Sequence, residues 1–87
     1  MQPSNPITAK RIATTSDQLV IVLADREVRI PWQRCSAKLA AATDEQRQHL
    51  ELSPAGYGIH WPLIDEDLSI GGLLRDAENR GLQQDDS

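Results

Sequence analysis

Five consecutive aliphatic residues, Leu19-Val20-Ile21-Val22-Leu23, constrain the fold of this chain more than any other run. Three of the five are β-branched, and the run is apolar on both of its alternating faces. Such a segment reads as a strand in a central position. Turn signals bracket it: Ser16-Asp17 before and Ala24-Asp25-Arg26 after. Upstream, Ile7 to Thr14 reads as a strand with Ile12 and Thr14 on one face and Arg11 and Ala13 on the other. Downstream, Glu27-Val28-Arg29-Ile30 alternates polar and apolar, as a strand with one wet side does. Three strands joined by tight connections make an antiparallel meander. Pro31 ends the third, because it lacks the N–H that a ladder needs.

The middle of the chain is rich in alanine. Gln33 to Ala42 is expected to be one helix, with Cys35 and Leu39 sharing a face. Thr43-Asp44-Glu45-Gln46 reads as a second helix start, with Thr43 as cap and Gln46 as its reciprocal partner. Leu50 to Leu52 and Tyr57 to Trp61 are expected to pair as a short hairpin around the Ser53-Pro54-Ala55-Gly56 turn. Pro62 to Asp67 reads as a compact corner. Ser69 caps a last helix, Ile70 to Asn79, whose Ile70, Leu73 and Leu74 form a buried stripe. Gly71 and Gly72 would let that helix approach a strand closely. The fold class is therefore α+β: a three-stranded antiparallel meander plus a hairpin, with two to three short helices. Residues 1–6 are expected to form a flexible arm, 7–79 a single domain and 80–87 a flexible acidic tail.

Composition removes several function classes. At 87 residues the chain holds one small domain, whose core has only Trp32, Tyr57 and Trp61 as aromatics. Aliphatic cores of this size leave little room for a deep small-molecule pocket. Thirteen acids against nine bases give a net charge of −4. That balance argues against nucleic-acid binding, which draws on Lys and Arg, and suits a basic protein partner. The single Cys35 forms no internal disulfide, which favours a cytoplasmic setting. The first residues have no leader-like apolar run, and no segment has the length of a membrane span.

The segment from Gly56 to Leu68 gathers two glycines, Tyr57, His60, Trp61 and the acids Asp65, Glu66 and Asp67. One imidazole and two carboxylates could hold a metal or do acid–base work, provided that they converge. Neighbours in a turn point apart, so the acids read instead as carboxylates at a helix entry, where the dipole favours them. Gly56-Tyr57-Gly58 lacks the rest of a phosphate-loop pattern and reads as tight backbone. Trp61 and Trp32 read as anchors with hydrogen-bonded indoles. Arg34 could lower the pKa of Cys35, but a half-buried, ordinary thiol is the simpler reading. Ser36, Ser53 and Ser69 belong to no recognisable triad. No catalytic residue, cofactor or metal ligand is assigned.

The run Gly58 to Leu74, with its His60-Trp61-Pro62-Leu63-Ile64-Asp65-Glu66-Asp67-Leu68-Ser69-Ile70-Gly71-Gly72 centre, resembles the end of a small bacterial family, Domain of Unknown Function 2442. Val20 to Glu27 and Leu39 to Arg47 resemble its second strand and middle helical segment, so the likeness covers Ile7 to Asp76. The chain departs from the family at Arg26, where glycine is frequent, and at Ser36-Ala37-Lys38, where proline is frequent. The resemblance implies a small α+β domain on an antiparallel sheet, with no catalytic residues to carry over. It also implies antitoxin-like behaviour, since members are often encoded beside another small protein, and some relatives carry a helix-turn-helix domain.

The leading expectation is therefore a non-catalytic module that binds a small basic protein partner, as an antitoxin does, with a homodimer as a further option. His60, Trp61, Asp65, Glu66 and Asp67 are its candidate contact residues. The alternatives are an accessory or sensor domain related to transcriptional regulators and, third, a small metal-dependent hydrolase using His60 with Asp65 or Asp67.

Overall fold

The structure, a computed structural model, describes residues 8–85. The arm expected over residues 1–6 lies outside the described residues, as do Ile7 and the last two positions of the tail. Ten elements follow in order: β1 (Arg11–Thr14), β2 (Gln18–Val22), β3 (Glu27–Pro31), α1 (Trp32–Cys35), α2 (Ala37–Ala40), α3 (Asp44–Gln48), β4 (Glu51–Leu52), β5 (Gly58–Trp61), β6 (Glu66–Ser69) and α4 (Ile70–Asp85). They form two antiparallel three-stranded sheets, β1-β2-β3 and β4-β5-β6, with several short helices: an α+β fold.

The first sheet is the expected meander, with β2 at its centre. Leu19 and Ile21 of β2 are fully buried and stand opposite Ile30 and Val28. The first strand begins at Arg11 rather than Ile7. Ahead of it, the Ala9 N–H turns away to the Gly56 carbonyl, and the Lys10 N–H takes Val22 out of step with the register that pairs Arg11 with Val22. Pro31 is the last residue of β3 and stands opposite Gln18. The flanking bonds, Leu23 N–H to Arg26 and Trp32 N–H to Asp17, fix the alternation of the ladder. That alternation puts the proline nitrogen on the outer edge, where no donor is required.

The alanine-rich segment is two one-turn helices instead of one. Ser36 is extended (φ −170°, ψ 162°) and separates α1 from α2. Its hydroxyl accepts the Leu39 N–H, so a serine that competes for backbone donors starts a new helix here. Cys35 and Leu39 are both buried, but on different helices. Thr43 and Gln46 make the expected capping box at α3.

The second sheet extends the expected hairpin by one strand. Glu66–Ser69 pairs antiparallel with β5, so residues 62–65 form the expected corner, while Glu66 and Asp67 belong to a strand. The acids therefore lie in the turn and strand before α4, and the first turn of α4 contains no acid. Ser69 does cap α4, accepting the Gly72 N–H. A Cβ on Gly72 would lie 2.7 Å from the Ser69 Oγ, so this glycine makes room for the cap rather than for a strand. The helix continues through Asp85, past the Asn79 end that its sequence suggests.

One core joins all layers. It contains Leu19, Ile21 and Ile30 from the first sheet, Ile59 and Trp61 from the second, Trp32 and Leu39 from the short helices, and Ile70, Leu73 and Leu74 from α4. Trp32 and Trp61 meet edge to face at its centre, 6.5 Å between centroids.

Candidate functional site

The second sheet sorts its residues by alternation. Ile59 and Trp61 of β5 point inward and are buried, while His60 between them faces out. Glu51 of β4 and Asp67 of β6 stand directly opposite His60 on its two sides. The outer face thus carries an unbroken cross-strand row, Glu51–His60–Asp67.

The ladder explains which of these side chains touch. Ser53 N–H bonds to Gly58, and Ile70 N–H bonds to Tyr57. Counting in twos from those bonds, Glu51 and His60 are a hydrogen-bonded pair, whereas His60 and Asp67 are a non-hydrogen-bonded pair. Side chains lie closer in the second kind. The His60 Nδ1 accordingly sits 2.6 Å from the Asp67 Oδ1. Both side chains are well exposed, 39% and 75%. The sequence reading had His60 and the acids pointing apart. The structure brings Asp67 to the imidazole and leaves Asp65 and Glu66 elsewhere.

Asp65 closes the β5–β6 turn. It is the one non-glycine residue with positive φ (53°) among the described residues, and its carbonyl accepts the Lys38 ammonium at 3.0 Å. Aspartate tolerates that left-handed conformation better than most residues. Glu66 is half-buried opposite Trp61. Trp61 itself has no exposed surface, and its indole N–H donates to the Arg47 carbonyl. Its expected role as a contact residue is corrected: a ring enclosed by the core cannot meet a partner, and only its anchoring role stands.

An open recess of about 260 Å³ lies against this row, lined in part by Glu51, Ser53, Pro54, His60 and Asp67. Ser53 is already occupied there, accepting the N–H groups of Tyr57 and Gly58. The three serines singled out in the sequence thus all hold backbone donors: Ser36 and Ser69 as caps, Ser53 as the clasp of the β4–β5 turn. Among the described residues, no three His, Cys, Asp or Glu side chains converge as metal ligands would. No described helix is long and apolar enough to cross a membrane.

Cys35 is buried rather than half-buried. Burial pushes its thiol up to about 12, and the cation that opposes this is Arg47, not Arg34. Gly56, with φ +79°, supplies the positive φ expected of the paired glycines, and a Cβ there would sit 2.6 Å from the Ala9 carbonyl. Arg26 needs no glycine in its place, since the turn has no positive φ; it pairs instead with Asp25 and with Glu78 of α4.

Two residues escaped the sequence reading. Glu51 was legible in principle, because Leu50-Glu51-Leu52 alternates and puts the acid on the face away from the core. Arg47 had no signal in its spacing, yet its guanidinium reaches three main-chain carbonyls, at Leu39, Ala40 and Ser16.

The family model described as protein of unknown function (DUF2442) matches residues 9–79. The chain belongs to the DUF2442 family. Two solved structures share the fold of this DUF2442 domain. One is a protein of unknown function from Rhodospirillum rubrum, 30% identical, with a TM-score of 0.69 over 82% of this chain and 88% of that one. The other is an uncharacterized protein from Chromobacterium violaceum, also 30% identical, with a TM-score of 0.67 over 80% of this chain and 66% of that one. The DUF2442 chain thus spans just under two thirds of the Chromobacterium protein. A search of curated proteins finds no match.

Proposed function

We propose that this DUF2442 domain is a non-catalytic protein-binding module of the bacterial cytoplasm, and that it docks a small basic protein partner in the manner of an antitoxin. The observation that carries this reading is the Glu51–His60–Asp67 row across the outer face of the second sheet. Each residue of the row sits on a paired strand, and Ile59 and Trp61, on either side of His60, are buried in the core. Its two carboxylates flank one imidazole and suit Lys or Arg side chains. Leu63 in the neighbouring β5–β6 turn is 52% exposed and offers apolar contact area.

The net charge of −4 steers a basic partner toward this surface. Nucleic acid is disfavoured by the same charge.

Co-expression with the product of the adjacent gene, followed by affinity purification, tests the proposal. The wild-type domain is expected to retain that protein and to relieve any growth defect it causes. A Glu51→Gln/Asp67→Asn variant is expected to fold normally and retain less. Failure of the wild type to retain any product of the adjacent gene would overturn the reading.

A further inference from the structure

The four sheet edges of this fold are not equivalent. β4 has two residues and runs into Pro54. β3 ends in Pro31 and lies beside α1 and α4. β6 leads straight into α4 and faces Arg34 and Cys35 of α1 across a hollow of about 290 Å³. β1 is different: its packing partner is β2, and it contains neither proline nor an acidic side chain.

The direction of its free groups follows from the ladder. Thr15 N–H bonds to the Gln18 carbonyl, and the register pairs Ala13 with Val20 and Arg11 with Val22. Residues 11, 13 and 15 therefore turn their main-chain groups toward β2. Ile12 and Thr14 turn theirs, two N–H and two C=O, toward the open edge. No other hydrogen bond of the described residues uses them.

We infer that β1 pairs antiparallel with β1 of a second copy about a twofold axis at Ala13, joining two meanders into one six-stranded sheet. The free groups fix the register. Ile12 of each copy exchanges both bonds with Thr14 of the other, giving four hydrogen bonds in all. Ala13 then meets Ala13 as a non-hydrogen-bonded pair, where Cα atoms come within about 4.5 Å, side chains lie close and like charges would repel. Ala13 is exposed in the single chain, so nothing in the monomer demands an alanine. In this register Arg11 stands opposite Thr15, and Lys10 and Arg11 lie beside the Ser16-Asp17 turn of the other copy. Opposite charges meet and like charges do not. The same Lys10 and Arg11 make this edge a poor site for a basic partner, which separates it from the acidic row on the second sheet.

The test combines sedimentation equilibrium with amide hydrogen exchange of the full chain across a wide range of protein concentration. The expected result is a monomer–dimer equilibrium in which the Ile12 and Thr14 amides become protected as the dimer fills. Ala13→Lys, at an exposed position, is expected to keep the melting temperature and raise the dimer dissociation constant several-fold or more. A monomer at every concentration would overturn the inference. So would a dimer in which those two amides exchange as fast as in the monomer, or one indifferent to Ala13→Lys.

Discussion

The guanidinium carbon of Arg47 lies 5.2 Å from the centre of the Trp32 ring. The carbonyl of the same arginine takes the indole N–H of Trp61, so one residue on a one-turn helix holds both tryptophans of the core. Its side chain is 13% exposed and donates to the carbonyls of Ser16, Leu39 and Ala40. It thereby ties the β1–β2 turn to the end of α2. Arg47→Met keeps the stem and deletes the donors. Charge-assisted bonds of this kind contribute about 1.5–3 kcal/mol each, though never additively. A loss of about 2–4 kcal/mol is expected, and in a domain of this size each kcal/mol moves the melting temperature by about 4–8 °C. Arg47→Lys is expected to recover only part, since one ammonium cannot serve the fork geometry or stack on the ring. Thermal unfolding followed by circular dichroism measures both.

Gly56→Ala is expected to be the most damaging single-methyl change. The position combines φ +79° with a carbonyl, Ala9, in the space the methyl would enter. The Gly56 carbonyl also accepts the Ala9 N–H, so relief by moving the loop breaks the link between the two sheets. Positive φ alone costs a non-glycine residue about 1–3 kcal/mol. Urea denaturation of the variant should show a lower midpoint with an unchanged slope.

Asp65→Gly tests whether the backbone conformation or the carboxylate holds the β5–β6 turn. A residue at φ 53° gains from glycine, which adopts that conformation freely, and the Lys38 bond goes to the Asp65 carbonyl and survives. The melting temperature is expected to stay within a few degrees of wild type. Asp65→Val, β-branched, is expected to lower it clearly. A variant Asp65→Gly that unfolds would show that the carboxylate itself holds the turn.

Cys35 should give the domain a specific weakness at alkaline pH. Burial raises its thiol from 9.0 to about 12. The folded state therefore holds a proton that the unfolded state releases. Stability from this group is complete below pH 9 and falls as the pH rises from 9 toward 12. Denaturation of wild type and Cys35→Ala side by side should show the wild type losing stability relative to the variant over that window. Below pH 9, iodoacetamide should label the folded protein far more slowly than the urea-unfolded chain.

Most of the first sheet was legible because its strands alternate or run apolar between turn residues. Leu19 to Leu23 could only be central, and Ile12, Val28 and Ile30 follow from counting in twos. Helix caps are equally local, so the Thr43–Gln46 box and the Ser69 cap were readable. Two features were not. β6 is built from Glu66, Asp67, Leu68 and Ser69, poor strand formers that adopt the strand because β5 offers a partner edge. The break at Ser36 pits serine's capping preference against an alanine-rich run, and here the Ser36 hydroxyl takes the Leu39 N–H and starts a new helix. The acidic segment was misread for the same reason. Adjacent side chains do point apart, but the cross-strand partner of His60 is seven residues away, and only the pairing of β5 with β6 reveals it.

The account rests on the outer face of the second sheet being the contact surface for a partner. Titration of the isotope-labelled domain with the purified product of the adjacent gene, followed residue by residue by NMR, tests it most directly. Amide shifts and line broadening are expected to centre on Glu51, His60 and Asp67 and to spread to Leu63, leaving Arg11 to Thr14 unmoved. Perturbations centred on another surface, with those three residues unchanged at saturation, would contradict it.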